Sequence, residues 1–342
     1  MKNTQNDPLL SFNPNSELDP IQIVRQYVDA CAASDRVKLA LSSKEVQAFD
    51  VSVLSSDGDL ATLTKRSSLI ASHLLLAHEP TSGKRDRIED DHGYENDGEN
   101  VWTRAIDIRC PDLHGLAAWL LDSAPLIRLG RVTYLPAVSE SIWNVNGGYH
   151  EVEDSPVGPR TSQAFDVFLR DGRAATLVNS PRLVGRMLVP LMHLDLPFIE
   201  GTSMHDFTQI VTDGEDSQAA TRDFLRRRLL DLLECQAERD LELNAAKLSV
   251  EVSEGIREVK ADLRKVARQR AVQAAGGILA TTAATLVALE GGVFREILPI
   301  IGATGGAWGF MAAMAQGQQE KGHVKGRPFY LFWLLERNAR GA

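Results

Sequence analysis

Residues that would identify a chemistry are scarce in this sequence. It contains three cysteines, Cys31, Cys110 and Cys235, which stand far apart and form no C-x-x-C pair. This pattern favours reduced cysteines and argues against a disulfide framework or a zinc knuckle. The segment Met1–Pro20 is polar and contains prolines, so it lacks the apolar core of a secretion signal. We therefore expect a cytoplasmic body.

Catalytic signatures are missing as well. No G-x-S-x-G, H-E-x-x-H or G-x-G-x-x-G motif occurs, and Ser82–Arg85 lacks the upstream glycine of a phosphate-binding loop. No cofactor is implied. The densest polar cluster, in which two imidazoles and several carboxylates favour metal binding or acid and base catalysis, comprises His193, Asp195, Glu200, His205 and Asp206. Its spacing matches no metal template, and helix capping with surface exposure is the favoured explanation of Glu200, His205 and Asp206.

Long uncharged runs occur at one place. Ala271–Leu289 and Ile297–Ala315 contain no Asp, Glu, Lys or Arg, and each is about long enough to cross a hydrocarbon layer of roughly 30 Å. The first is poor in large apolar residues, which weakens insertion. Basic and aromatic residues flank the pair, and we expect the following at the membrane interface: Arg268, Arg270, Lys321, Lys325, Arg327, Tyr330 and Trp333.

Small residues recur at close spacing in both runs. Such stripes let helix backbones approach closely in lipid. They comprise Gly276, Ala280, Ala284 and Ala288 in the first run, and Gly302, Gly305, Gly306 and Gly309 in the second. The flanking charges predict a two-span hairpin in the inner membrane with both termini in the cytoplasm. The alternative is a soluble, cytoplasmic protein in which this helical pair is buried.

The charge is unevenly distributed along the chain. The net charge is −9, but residues 260–342 carry +6 and the first 259 residues carry −15. An acidic body argues against nucleic-acid binding, which requires a basic surface. The basic end fits anionic lipid, or alternatively a solvated helix end without a partner.

The pattern of elements predicts an α+β, predominantly helical protein. Helices are expected from Asp19, over Ser43–Val53 and over Asp59–Ala77. The expected segments are a helical N-terminal region (1–78), an acidic mobile linker (79–99), an α/β domain (100–215), a long helix or helical pair (216–270), the apolar hairpin (271–315) and a basic aromatic tail (316–342).

Two patterns predict local structure in the central region. Val101–Pro136 is typical of a strand, a helix that ends before Pro125, and a second strand, which would form a right-handed βαβ unit if the strands pair in parallel. Phe165–Leu169 and Ala174–Val178 favour two short strands joined by a turn. The strand order is not predicted.

Apolar residues recur every three or four positions from Leu241 to Val266, as in a coiled coil. Their partner is either the apolar face of Phe224–Leu233, if the chain turns back near residue 238, or a second copy of the protein. Pro328–Glu336 carries four aromatic residues, which indicate either an interfacial anchor or a helix docked on the core.

These patterns lead to two functional hypotheses. The first is a membrane-anchored cytoplasmic binding, regulatory or effector module, whose partners are the lipid bilayer and a second copy joined through the Leu241–Val266 seam. The second is a soluble, metal-assisted enzyme that uses the His193–Asp206 cluster, with the hairpin as an internal helical layer.

Overall fold

A computed structural model describes residues 7–42, 49–79, 84–96, 100–144, 149–151, 165–177, 181–233, 238–276 and 327–341. The chain is mixed α/β and mostly helical, as expected. After a 3-10 helix, Pro8–Ser11, the α-helices are α1 Pro20–Ala33, α2 Asp35–Ser42, α3 Leu60–Ser67, α4 Leu113–Arg128, α5 Leu183–Met192, α6 Pro197–Glu200, α7 Met204–Asp213, α8 Glu215–Leu233, α9 Glu238–Gly276 and α10 Tyr330–Gly341. The strands are β1 Val51–Ser55, β2 Leu74–His78, β3 Lys84–Asn96, β4 Asn100–Cys110, β5 Val132–Leu135, β6 Ala137–Asn144, β7 Tyr149–Glu151, β8 Val167–Arg170 and β9 Arg173–Thr176.

A five-stranded, mostly parallel sheet forms the centre of the protein. Its order is β5-β2-β1-β8-β9, and only β9 runs antiparallel to its neighbour. Every residue of β2 and β5 is buried. Strands that are buried on both faces have nearly continuous apolar sequences, which explains the sequence LLLAH of β2.

The helix predicted over Asp59–Ala77 is therefore correct only in its first half, and the helix predicted over Ser43–Val53 is wrong where the chain enters β1. Leu60, Leu63, Ile70 and Leu74 have helical spacing, but the last two lie beyond the end of α3. Short apolar runs fit a buried strand and a helix equally well by periodicity alone. The parallel sheet thus takes two strands from the region predicted to be purely helical.

A second, antiparallel sheet has the order β3-β4-β6-β7. The strand β3 occupies most of the segment predicted as a mobile acidic linker, and that prediction is wrong over residues 84–96. A low apolar content argues against a buried core, but a strand requires only a neighbour for its backbone. Here β4 supplies that neighbour, with Lys84 opposite Cys110.

The βαβ unit predicted over Val101–Pro136 is also wrong, because its two strands belong to different sheets. The strand β4 lies in the antiparallel sheet, whereas β5 pairs with β2 in parallel. The helix between them exists, but α4 continues through Pro125 to Arg128. Pro125 cannot donate a backbone hydrogen bond to residue 121, and the helix ends one turn after it.

Helix α1 covers one edge of the parallel sheet, at β5. The Tyr27 hydroxyl donates to the Tyr134 carbonyl oxygen and accepts from the Tyr134 N–H, both at 2.8 Å. The Cys31 thiol also approaches this carbonyl, at 3.7 Å. These contacts satisfy backbone groups of β5 that would otherwise be open to another strand.

The opposite edge is the hairpin β8–β9, and this prediction is confirmed. Asp171 and Gly172 adopt φ angles of 51° and 71° in the turn, a conformation that glycine and aspartate tolerate best. A buried ion pair fixes the start of the hairpin, because the Arg182 side chain donates to Asp166 while the Ser52 N–H donates to the same carboxylate at 2.9 Å. Burial alone raises the pKa of Asp166, but these donors outweigh it and lower the pKa.

The predicted helical pair is confirmed in α8 and α9. Leu248, Val252, Ile256 and Val259 of the predicted seam are buried within the protein itself. The pairing of this seam with a second copy stays a prediction. The aromatic segment forms α10, which is docked on the core with Leu331, Phe332 and Leu335 fully buried.

The apolar hairpin lies outside the described residues, apart from the end of α9 at Gly276. Among the helices in the described part of the chain, none combines the length and the apolar character needed to cross a membrane.

The contact between α9 and Phe329 predicts the effect of one substitution. A Cβ at Gly255 would lie 2.3 to 2.5 Å from three atoms of the Phe329 ring. In Gly255→Ala we expect overpacking of about 1–3 kcal/mol, only partly offset by the roughly 1 kcal/mol that alanine gains in a helix. Urea unfolding should therefore show a net loss of stability.

The matched control is Ser253→Ala, which changes an exposed position on the same helix. It should change the free energy of unfolding by no more than about 0.5 kcal/mol. Equal or higher stability of Gly255→Ala would contradict the close packing of Phe329 on α9.

Candidate functional site

The residues of the predicted polar cluster lie on three neighbouring elements. His193 follows α5, Asp195 precedes α6, Glu200 ends α6, and His205 lies in the first turn of α7; all four are exposed. Ser203 caps α7 by accepting from the Asp206 N–H at 3.1 Å.

The contacts of this cluster are structural: one lies within α7, and the other joins α6 to α3. The imidazole of His205 lies 2.9 Å from Gln209 Nε2, one helical turn further along α7. Glu200 pairs with Arg66 at 2.6 Å. Among the residues that the structure describes, no three His, Cys, Asp or Glu side chains lie together in a manner that would hold a metal ion.

Arg66, which sequence reasoning missed, is the centre of these contacts. Its guanidinium is buried and donates to the carbonyl oxygens of Leu191, Met192 and Leu194 at 2.8 to 3.1 Å. Carbonyl groups at the end of a helix lack intrahelical donors, so a cation there is favourable. Lys65 next to it donates to the Thr202 carbonyl at 2.8 Å, and burial lowers the pKa of this lysine. Two basic residues of α3 therefore position the loops around the predicted cluster.

A groove of about 660 Å³ lies beside this cluster, between α6 and the facing sides of α9 and α10. This volume is within the range typical of ligand pockets. Apolar residues that line it are Leu196, Pro197, Phe198, Val250, Val252, Ile256 and Ala339. Polar residues that line it are Asp195, Ser249, Ser253, Glu254, Arg257, Lys260 and Glu336. Of the five residues of the predicted cluster, Asp195 is the one that lines this groove.

One ion pair links the two helices of the groove. Lys260 on α9 lies 2.7 Å from Glu336 on α10, and the Glu336 side chain is only 17% exposed. An ion pair that is partly desolvated fixes geometry better than an exposed one. The groove therefore combines an apolar lining with charged groups in fixed positions, which suits an amphipathic ligand or peptide.

The carboxyl edge of the parallel sheet is the usual ligand site of open α/β folds, at the point where the strand order reverses. Here that point lies between β1 and β8. The Asp57 carboxylate follows β1 and accepts from the N–H groups of Asp171 and Gly172 at 2.8 and 2.9 Å. The turn of the β8–β9 hairpin is thus tied to the end of β1.

A buried hydrogen-bonded network begins beside this edge. The Tyr134 hydroxyl lies 2.8 Å from His78 Nδ1, and His78 Nε2 lies 3.2 Å from the Asp57 carbonyl oxygen. Because a carbonyl oxygen only accepts, Nε2 carries the proton and Nδ1 accepts from Tyr134. Burial lowers the pKa of His78 to about 4, so the imidazole is neutral at pH 7. The sequence offered no signal for this network, whose members are far apart in the chain.

The residues predicted at the membrane interface are only partly described. Arg327 contacts the Asp262 carboxylate, and the Tyr330 and Trp333 rings lie 5.4 Å apart on the partly buried side of α10. The side chains of Arg268 and Arg270, residues Lys321 and Lys325, and the small-residue stripes after Gly276 lie outside what the structure describes.

No protein-family model, curated protein or solved structure matches this chain.

The pKa of His78 predicts how stability depends on pH. The unfolded histidine titrates near 6.5 but the folded one near 4, so between these values only the unfolded state binds the proton. The neutral state of His78 therefore contributes fully to the free energy of unfolding above pH 6.5. This contribution should decrease by about 3 kcal/mol as the pH falls to 4. In urea titrations, His78→Gln should lose this part of the pH dependence.

The exposed His114 provides a matched control. His114→Gln should retain the pH dependence of the wild type. If His78→Gln and the wild type lose stability equally between pH 6.5 and 4, the buried, neutral state of His78 is wrong.

Proposed function

We propose that the chain is a membrane-anchored binding or regulatory module, whose anchor is the hairpin 271–315 and whose body is the α/β protein described above. The groove between α6, α9 and α10 is its binding site. The anchor is inferred from sequence, where two uncharged runs of span length stand between basic segments.

The observation that carries this proposal is the position of the two chain segments that flank the hairpin. Helix α9 passes Asp262 and continues for about 21 Å to Gly276. The chain then returns at Arg327, which contacts Asp262 of the same helix. A two-span hairpin requires both its ends on one side of the bilayer, and a segment that departs and returns along one helix meets this requirement.

The groove supports the regulatory part of the proposal. It is lined by α9 and α10, the same helices that precede and follow the proposed anchor. A ligand in the groove contacts both helices and stabilises their association, as any ligand does that binds one arrangement preferentially. Occupancy of the groove is in this way coupled to the base of the anchor.

Membrane fractionation of the full-length, untagged protein tests the anchor. The wild type should remain in the membrane pellet after washing with high salt and with carbonate. Trp308→Lys/Met311→Lys should move to the soluble fraction, because each lysine near the centre of a span costs about 3 kcal/mol. Trp308→Phe/Met311→Leu is the matched control and should remain in the pellet.

A further variant separates this proposal from the metal-assisted enzyme. His193→Ala/His205→Ala changes two exposed histidines and should leave the membrane fraction unchanged. Release of the wild type by salt alone would contradict a membrane span and indicate a basic surface contact. Stoichiometric metal that is bound by the wild type and lost from the double histidine variant would favour the enzyme.

A further inference from the structure

Arginine residues gather at the amino edge of the parallel sheet, opposite the edge that carries His78. Arg131 directly precedes β5, Arg36 lies on α2, and Arg222 and Arg226 lie one turn apart on α8. Arg36, Arg131 and Arg222 act electrostatically on His73, an exposed residue that directly precedes β2, and Arg226 contacts Asp50 beside it. Three chain segments distant in sequence therefore place their cations at one location.

Ion pairs with carboxylates are formed by two of these four arginines in the part of the chain that the structure describes. The Asp50 carboxylate accepts from the Ser72 N–H at 2.5 Å and the His73 N–H at 3.3 Å, and Arg226 lies 3.2 Å from it. Glu215 pairs with Arg131 at 2.9 Å, but its side chain is 79% exposed and its charge is well screened. Asp7 and Asp223 act on Arg36 and Arg222 at longer range.

Among the described residues, Arg36 and Arg222 form no ion pair with a carboxylate. Arg222 donates from Nη1 to the Ser72 hydroxyl at 2.9 Å, and its Nε is buried without a hydrogen-bond acceptor. Arg36 lies 4.8 Å over the Phe49 ring and packs against Gly130, where a Cβ would lie 2.4 Å from Arg36 Nη1. A buried, unpaired donor is costly, so the Nε of Arg222 is available to an acceptor outside the described residues.

The electrostatics at His73 agree with this geometry. Burial lowers the pKa of His73, and Arg36, Arg222 and Arg131 lower it further, whereas Asp50 acts in the opposite direction. Burial, together with Arg226 and Arg131, lowers the pKa of Arg222. The groups that face His73 are thus mainly cationic, and an anion would relieve their mutual repulsion.

We propose that Arg36, Arg131, Arg222 and His73 form a binding site for a phosphate group at the amino edge of the parallel sheet. Guanidinium groups match the geometry of phosphate oxygens and bind them through paired hydrogen bonds. The phosphate belongs either to a free ion or small metabolite, or to an anionic lipid headgroup. The site is independent of the groove and of the proposed anchor.

Titration of the full-length protein with inorganic phosphate tests the site, with the His73 imidazole followed by NMR. Bound phosphate should raise the pKa of His73 because the anion stabilises the imidazolium. Arg222→Gln should weaken phosphate binding at least about tenfold, since it removes a charge-assisted hydrogen bond. Arg227→Gln, an exposed neighbour on α8, is the matched control and should bind as the wild type does.

A second arm uses phosphatidylcholine vesicles with and without phosphatidic acid, with the anchor variant Trp308→Lys/Met311→Lys as the background. Binding in either arm that Arg222→Gln reduces supports the site, and the responding arm identifies the source of the phosphate. Absence of saturable binding in both arms, or binding that Arg222→Gln leaves unchanged, overturns it. If Arg222→Gln does not fold, Arg222→Lys and the His73 shift of the wild type decide the question.

Discussion

The association of α10 with α9 is the contact on which the C-terminal half of the protein depends. Phe329 lies directly against the backbone of Gly255, and the ring also meets Phe224 of α8 at a centroid distance of 4.7 Å. The ion pair between Lys260 and Glu336 joins the same two helices. Because the Phe329 ring packs directly on the Gly255 backbone, this contact fixes the position of α10 along α9. The groove exists only while this position is kept.

Arginine residues account for much of the tertiary organisation, and they act in two different ways. Arg66 and Arg182 are enclosed by acceptors, namely the carbonyl groups at the end of α5 and the Asp166 carboxylate. Such groups are satisfied and fix the position of a loop or a strand. Arg36 and Arg222 differ because their direct contacts are an aromatic ring and a hydroxyl group, while Asp7 and Asp223 act on them at longer range. This contrast is the reason that the proposed phosphate site includes these two arginines.

Local signals in the sequence were sufficient for elements that are determined locally. The turn at Asp171 and Gly172, the Ser203 cap and the α8–α9 pair follow from residues within one or two turns of each other. The strands β1 and β2 were missed because apolar runs of five residues carry no decisive period. The strand β3 was not predicted because its acidic composition indicated a loop, and the local sequence does not show that its backbone pairs with β4.

The sites were less predictable than the fold for a related reason. Asp195 of the predicted cluster lines the groove, but the lining residues on α9 and α10 come from more than fifty residues away in the sequence. Arg66, His78 and the arginines around His73 acquire their character only from contacts distant in sequence. The local sequence around a charged residue in a helix does not indicate whether that residue is buried, so only the tertiary structure identifies it.

Helix α8 contacts both the start of α10 and the amino edge of the parallel sheet. The Thr221 hydroxyl donates to the Pro328 carbonyl at the start of α10, and the next residue, Arg222, donates to Ser72 at the amino edge of the sheet. A rigid helix transmits a displacement at one face to the other, because packed interiors deform little. The two contacts lie on consecutive residues of α8, so this helix joins the amino edge of the parallel sheet to the start of α10.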